Sequence, residues 1–216
     1  MFPDLQLEVM ERFTAVEQYF RNSPKDFRGV PPELTQTPKG LVLLQIYAIY
    51  EFTVREVTST AIEEIANHAH AYSDLKWPLL AIFLEPQVEA LRKCGEKNDW
   101  LRRLDLLEKS TSPGPITPVE TIPFDGSHYR HTHVELILKV LGVKRKLTLR
   151  RRHLYRIDTL VDRRNAISHG EETAMAVGRR SSRADIMREI KIMKSICLRL
   201  IEIVSEHCST PARHRK

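Results

Sequence analysis

One stretch constrains the fold of this 216-residue chain more than any other. From about Gly40 to His70 it runs as LVLLQIYAIYEFTVREVTSTAIEEIANHAH, with no proline and no internal glycine. Leu44, Tyr47, Tyr50, Val54, Val57, Ala61 and Ile65 recur every three or four residues, the spacing of one face of an α-helix. A long helix with such a stripe needs covering elements, and the rest of the chain offers more helices. Residues 4–22 place Leu5, Leu7, Val9, Phe13, Val16 and Phe20 at helical spacing. Ser23-Pro24 and Pro31-Pro32 then break the pattern, and a loop is expected to about Pro38.

Residues 79–94 and 98–110 are shorter helical candidates, the second with Asn98 or Asp99 at its start. Residues 111–129, TSPGPITPVETIPFDGSHY, hold four prolines and two glycines and predict an irregular insertion. A helix over 130–141 ends at Gly142. Another spans 148–169, with Leu154, Ile157, Leu160, Val161 and Ile167 on its apolar side. Ser182 and Asp185 then open a last helix in the manner of a capping box. That helix carries Ile186, Ile190, Met193, Ile196, Leu200 and Ile203. No strand alternation and no repeat stands out. The fold class expected is an all-α bundle with a proline-rich loop insertion. It forms one domain over residues 1–208, followed by a basic, disordered tail over 209–216.

An apolar fraction of 42% supports a core, and 29% charged residues suit a helical surface. No apolar run reaches the roughly 18 residues that a membrane span needs. MFPDLQLEVMERF has no basic region followed by an apolar stretch, so no secretory signal is read. Cys94, Cys197 and Cys208 are odd in number and widely spaced, as reduced thiols of a cytoplasmic protein would be.

The chemically loaded segment closes the 148–169 helix: Arg164-Asn165-Ala166-Ile167-Ser168-His169, then Gly170. Arginine is a permanent planar cation matched to phosphate oxygens, and histidine moves protons near neutral pH. Together they suit work on a phosphodiester, because RNA supplies its own 2′-hydroxyl nucleophile. Asn165 and His169, four apart, share a helix face, as do Arg164 and Ser168. Arg164 and His169 lie roughly 140° apart in azimuth, so they do not stack directly. Two copies meeting across a two-fold axis would bring four such groups together.

The net charge is +6 with a pI near 9.3, which favours a polyanionic partner. Much of the positive charge, including Lys144, Arg145, Lys146, Arg150, Arg151, Arg152, Arg156 and Arg163, leads into the motif. Arg179, Arg180 and Arg183 follow it. Arg152, Arg156, Arg163 and Arg179 are the candidate RNA-binding residues. His68 and His70, and His128, His131 and His133, have spacings that invite a metal reading. They sit at loop boundaries with no cysteine or HExxH pattern beside them, so neither metal nor cofactor is expected. His128 and His131, beside the proline-rich loop, remain able to touch RNA. Tyr47, Tyr50 and Phe52 lie in an apolar stripe and are read as core.

Three segments in order resemble the HEPN superfamily, in its MAE-type nuclease branch. They are LLQIYAIYEFTVREVTSTAIE, IPFDGSHYRHTHVELILKVLGV and IDTLVDRRNAISHGEETAMAVGRRSSRADI, and the resemblance covers roughly residues 5–207. It implies a helical fold of four or more helices, a homodimer with facing motif helices, and metal-independent endoribonuclease activity of the kind encoded in bacterial toxin–antitoxin and defence loci. Arg164 and His169 carry over as catalytic, and Asn165 as the polar residue after the motif arginine. Glu51 matches the acidic position of the early helix, orienting His169 or helping proton transfer. Ser168 stands where related motifs often have alanine, a small departure. RNA is the implied substrate and a cognate antitoxin protein a further partner. A non-catalytic helical module that binds nucleotide, RNA or a partner protein is the competing function.

Overall fold

A computed structural model describes residues 1–69, 71–119, 123, 128–148, 150–210 and 214. Among these the chain is all-α, and no strand occurs. The helices are α1 (Phe2–Asn22), α2 (Pro32–His68), α3 (Trp77–Phe83), α4 (Glu85–Lys93), α5 (Asp99–Thr111), α6 (His131–Val140), α7 (Arg151–Ser168), α8 (Ala174–Arg179) and α9 (Arg183–Cys208). Their residues divide into two compact units. One comprises Met1–Glu56, His128–Val134 and Lys146–Ile201, and the other Val57–Ser127, Glu135–Arg145 and Glu202–Lys216.

In the first unit, α1 buries the predicted Leu5, Val9, Phe13, Val16 and Phe20, whereas Leu7 stays exposed. α2 buries more than a stripe: Val42, Leu43, Ile46, Tyr47, Ile49, Tyr50, Thr53 and Val54 are all inside. It also begins earlier than the sequence suggests. The expected loop to Pro38 is corrected, because the helix starts at Pro32 and carries Pro38 within it. Pro32 suits a first helical turn, where the missing N–H would be unsatisfied anyway. Tertiary contacts hold the following turn. The buried Lys39 ammonium donates to Asp26 (2.8 Å) and to Gln36 (3.0 Å), and that bond holds the Asp26 carboxyl below its ordinary pKa.

Gly40 and Gly178 let α2 and α8 meet backbone to backbone. A Cβ at Gly178 would stand 2.0 Å from the Gln36 carbonyl oxygen, and one at Gly40 would stand 2.1 Å from that of Ala174. α9 opens with the capping box read from the sequence: Asp185 N–H donates to Ser182 Oγ, and Ser182 N–H donates to Asp185 Oδ2 (3.1 Å each). One residue on, Arg183 grips the end of α1. Its guanidinium donates to the carbonyls of Phe20 and Arg21 and lies 4.4 Å from the centre of the Phe20 ring.

In the second unit, the predicted helix over 79–94 is two helices. Pro86 has no N–H for the Ile82 carbonyl, so α3 stops and α4 begins at Glu85. α4 packs on α5, which keeps Trp100, Leu101, Leu104 and Leu107 exposed. The described part of the proline-rich insertion, residues 112–119 and 123, has no regular element. Most of the tail read as disordered lies outside the described residues. His214 is described: it is buried, its ring 5.0 Å from that of His207. Cys94, Cys197 and Cys208 are free thiols. No helix among the described residues is long and apolar enough to cross a membrane.

Candidate active site at the end of the motif helix

α7 buries Ile157, Leu160 and Val161 and half-buries Leu154 and Ile167, so its polar side is set by the register of its apolar side. The helix ends at Ser168 with His169 as its C-cap, and Gly170 takes the left-handed conformation (φ +72°) that lets the chain turn away. The Glu172 N–H donates back to the Ala166 carbonyl (2.9 Å), closing the last turn. His169 therefore stands exposed at the helix end.

Arg164 lies one turn inside, half-buried, and three groups meet its guanidinium. Nη1 donates to Asn165 Oδ1 (3.2 Å), and the Cζ lies 4.9 Å from the centre of the Tyr47 ring, a cation–π distance. Nη1 also lies 3.3 Å from Nδ1 and 3.4 Å from Nε2 of His128. Asn165 thus holds the arginine rather than the imidazole. The azimuthal separation of Arg164 and His169 is bridged by His128, whose ring centre is 6.4 Å from that of His169.

His128 is placed from two sides. Asp158 and Asp162, one turn apart on α7, hold the residues that follow it. Asp158 accepts from the His131 backbone N–H (3.0 Å) and pairs with its ring (2.6 Å), and Asp162 pairs with Arg130 (2.6 Å). From α2, the buried Tyr50 hydroxyl donates to the Tyr129 carbonyl (2.9 Å). The Tyr47 hydroxyl comes within 3.5 Å of His128 Nδ1.

The electrostatics follow from this packing. Burial and then the Arg164 charge push the His128 pKa below the ordinary histidine value, with Glu51 pulling the other way. Burial, with Glu51 adding, pushes the Tyr47 phenol up to about 12, so it stays protonated. Glu51, one turn after Tyr47 on α2, acts on both groups through its charge. No hydrogen bond joins it to His169 among the described residues. Ser168 is exposed, and its side chain makes no hydrogen bond among the described residues.

Of the candidate RNA-binding arginines, Arg152, Arg156 and Arg163 line one groove of about 440 Å³ with Tyr155. Arg180 lines it too, whereas Arg179 does not. Arg156 also pairs with the buried Glu189, and Arg163 donates to Ser181 (3.3 Å). The histidines weighed as metal ligands are otherwise engaged: His131 with Asp158, and His128 with Arg164. His70 lies outside the described residues. Among the described residues no three histidine, cysteine or carboxylate side chains converge as a metal site would require.

Arg164 and Asn165, named together from the sequence, meet through a hydrogen bond, and the charge of Glu51 acts on His128 and Tyr47. His128 was read only as able to touch RNA, and Tyr47 as core. The available signals were the four-residue spacing of Tyr47 and Glu51 on one face of α2, and the histidine immediately before the buried Tyr129.

A model of the family described as MAE_28990-like HEPN matches residues 11–211. No curated protein and no solved structure matches the chain significantly.

Proposed function

The chain belongs to the MAE_28990-like HEPN family, and on that premise we propose that it is a metal-independent endoribonuclease, acting on RNA in the cytoplasm as a toxin or defence effector. The observation that carries this reading is the meeting of Arg164, His169 and a second imidazole at one helix end. An arginine-lined groove runs along the same helix. The RNA 2′-oxygen attacks the adjacent phosphorus, the bond to the 5′-oxygen breaks, and a 2′,3′-cyclic phosphate remains on the 5′ fragment. Arg164 donates hydrogen bonds to the non-bridging oxygens as charge develops there. His169 transfers a proton, and Asn165 fixes the guanidinium. The nucleophile belongs to the substrate and the protons move through imidazole, so the reaction needs no metal-bound water.

Arg152, Arg163 and Arg180 offer the flanking phosphates a track, with Tyr155 as a flat surface beside it. The protein is a homodimer in this reading, its motif helices facing each other, and a cognate antitoxin protein is its second partner.

The test is cleavage of single-stranded RNA in excess EDTA, with the product ends identified. Cyclic phosphate should appear, and His169→Ala at matched circular dichroism should cut about 10²- to 10⁴-fold more slowly. RNA binding without cleavage would make the chain a non-catalytic module. Cleavage that EDTA abolishes and a divalent ion restores would overturn the metal-free mechanism.

A further inference from the structure

Transesterification of RNA needs two proton transfers, one from the 2′-hydroxyl and one to the departing 5′-oxygen. Only one histidine lies in the motif. Resting on the ribonuclease reading, we propose that His128 is the general base and His169 the general acid, so that each chain holds a complete acid–base pair.

The two rings differ in what surrounds them. His128 is half-buried, and Arg164 from α7 sets Nη1 against both of its ring nitrogens. Almost equally far from both nitrogens, Nη1 lies along neither in-plane lone pair; it stands off the ring plane as a positive charge that disfavours protonation and leaves the lone pair for the substrate. From α2, Tyr47 brings its hydroxyl and Glu51 its charge; Arg130 adds positive charge from the adjoining residues, and His169 faces the ring from the end of α7. Burial first, and then the Arg164 charge, lowers the pKa of His128 and so favours the neutral form, the state a base requires. His169 is exposed, and nothing among the described residues hydrogen-bonds its ring. It is free to bring a proton to the leaving oxygen. The ring centres are 6.4 Å apart, and in this proposal one phosphodiester is held between them.

In the step itself, His128 takes the 2′-hydroxyl proton as the O2′–P bond forms. The P–O5′ bond breaks with its electron pair on O5′, and O5′ takes the proton from the His169 imidazolium. Arg164 holds His128 in place and meets the non-bridging oxygens.

The probes are uridylyl-3′,5′-adenosine and uridine 3′-(4-nitrophenyl phosphate), with kcat/KM followed against pH. The base must be unprotonated, so His128 sets the low-pH limb, below the ordinary histidine value of about 6.5. His128→Ala should lose about 10²- to 10⁴-fold on both substrates at neutral pH, and its low-pH limb should vanish. His169→Ala should lose far more on the dinucleotide than on the nitrophenyl ester, whose leaving group departs without a proton. His128→Gln keeps a polar side chain beside Arg164 and guards against misfolding; it should behave as His128→Ala does. A wild type silenced by His169→Ala but indifferent to His128→Gln overturns the His128 assignment alone. So does an equal fractional loss at every pH with the low-pH limb intact. A wild type that cuts neither substrate overturns the ribonuclease reading and this proposal with it.

Discussion

Replacing Gly178 with alanine drives a methyl group into the backbone of α2. The added Cβ would stand 2.0 Å from the Gln36 carbonyl oxygen, so one side must retreat by about 1.4 Å to restore an ordinary contact of 3.4 Å. The opposing atoms are backbone, and Lys39 and Asp26 tie that turn of α2 in place, so rotamer changes cannot absorb the shift. Overpacking of this kind costs about 1–3 kcal/mol, with the upper part of the range appropriate to a backbone obstacle. Alanine in a helix recovers up to about 1 kcal/mol relative to glycine. The net expectation is a loss of about 1–2 kcal/mol, which lowers the melting temperature of a chain this size by about 2–8 °C.

Gly95 supplies the contrast. Nothing stands within 4 Å of a Cβ built there, and its φ of −77° suits alanine, so Gly95→Ala should be neutral or slightly stabilising. Gly40→Ala meets the same crossing at the Ala174 carbonyl. The double variant should therefore cost less than the sum of the singles, since the first methyl already parts the helices. Thermal and urea unfolding followed by circular dichroism measure all four proteins. A Gly178→Ala protein as stable as Gly95→Ala would refute the close crossing of α2 and α8.

Arg164→Lys keeps the charge but loses the planar fork that meets Asn165 and His128 together, so cleavage should fall nearly as far as in Arg164→Ala. Only Arg164→Ala should reduce the salt dependence of RNA binding, by roughly one phosphate contact. Arg152→Ala and Arg156→Ala separate binding from stability within one groove. Arg156→Ala strands the buried Glu189 carboxylate and should cost about 1–3 kcal/mol, less than a fully buried pair because the Arg156 side chain is 36% exposed. Arg152→Ala should leave the unfolding midpoint unchanged and weaken only RNA affinity; equal stability losses in the two variants would refute this division.

The sequence by itself determined the elements whose cause is local. The apolar spacing of α1, α2, α7 and α9 marks those helices, because the side-chain period of a helix is fixed by its own backbone. The Ser182–Asp185 cap and the Gly170 stop follow from local chemistry in the same way. Arg164, Asn165 and His169 can be picked out as candidates for that reason: they lie within two turns of one helix. Local rules erred where distant atoms decide. Prolines 31, 32 and 38 read as a loop, yet Asp26, Lys39 and the contact between Gly40 and α8 hold Pro32–Pro38 in a helix. Only the tertiary structure brought His128 to the motif. It lies 36 residues before Arg164, and its place depends on Asp158, Asp162 and Tyr50, each of which reads alone as an ordinary helix residue. A periodicity records which face of a helix is buried; it does not record which loop is pinned to the opposite face. The second imidazole of the site was decided by that pinning.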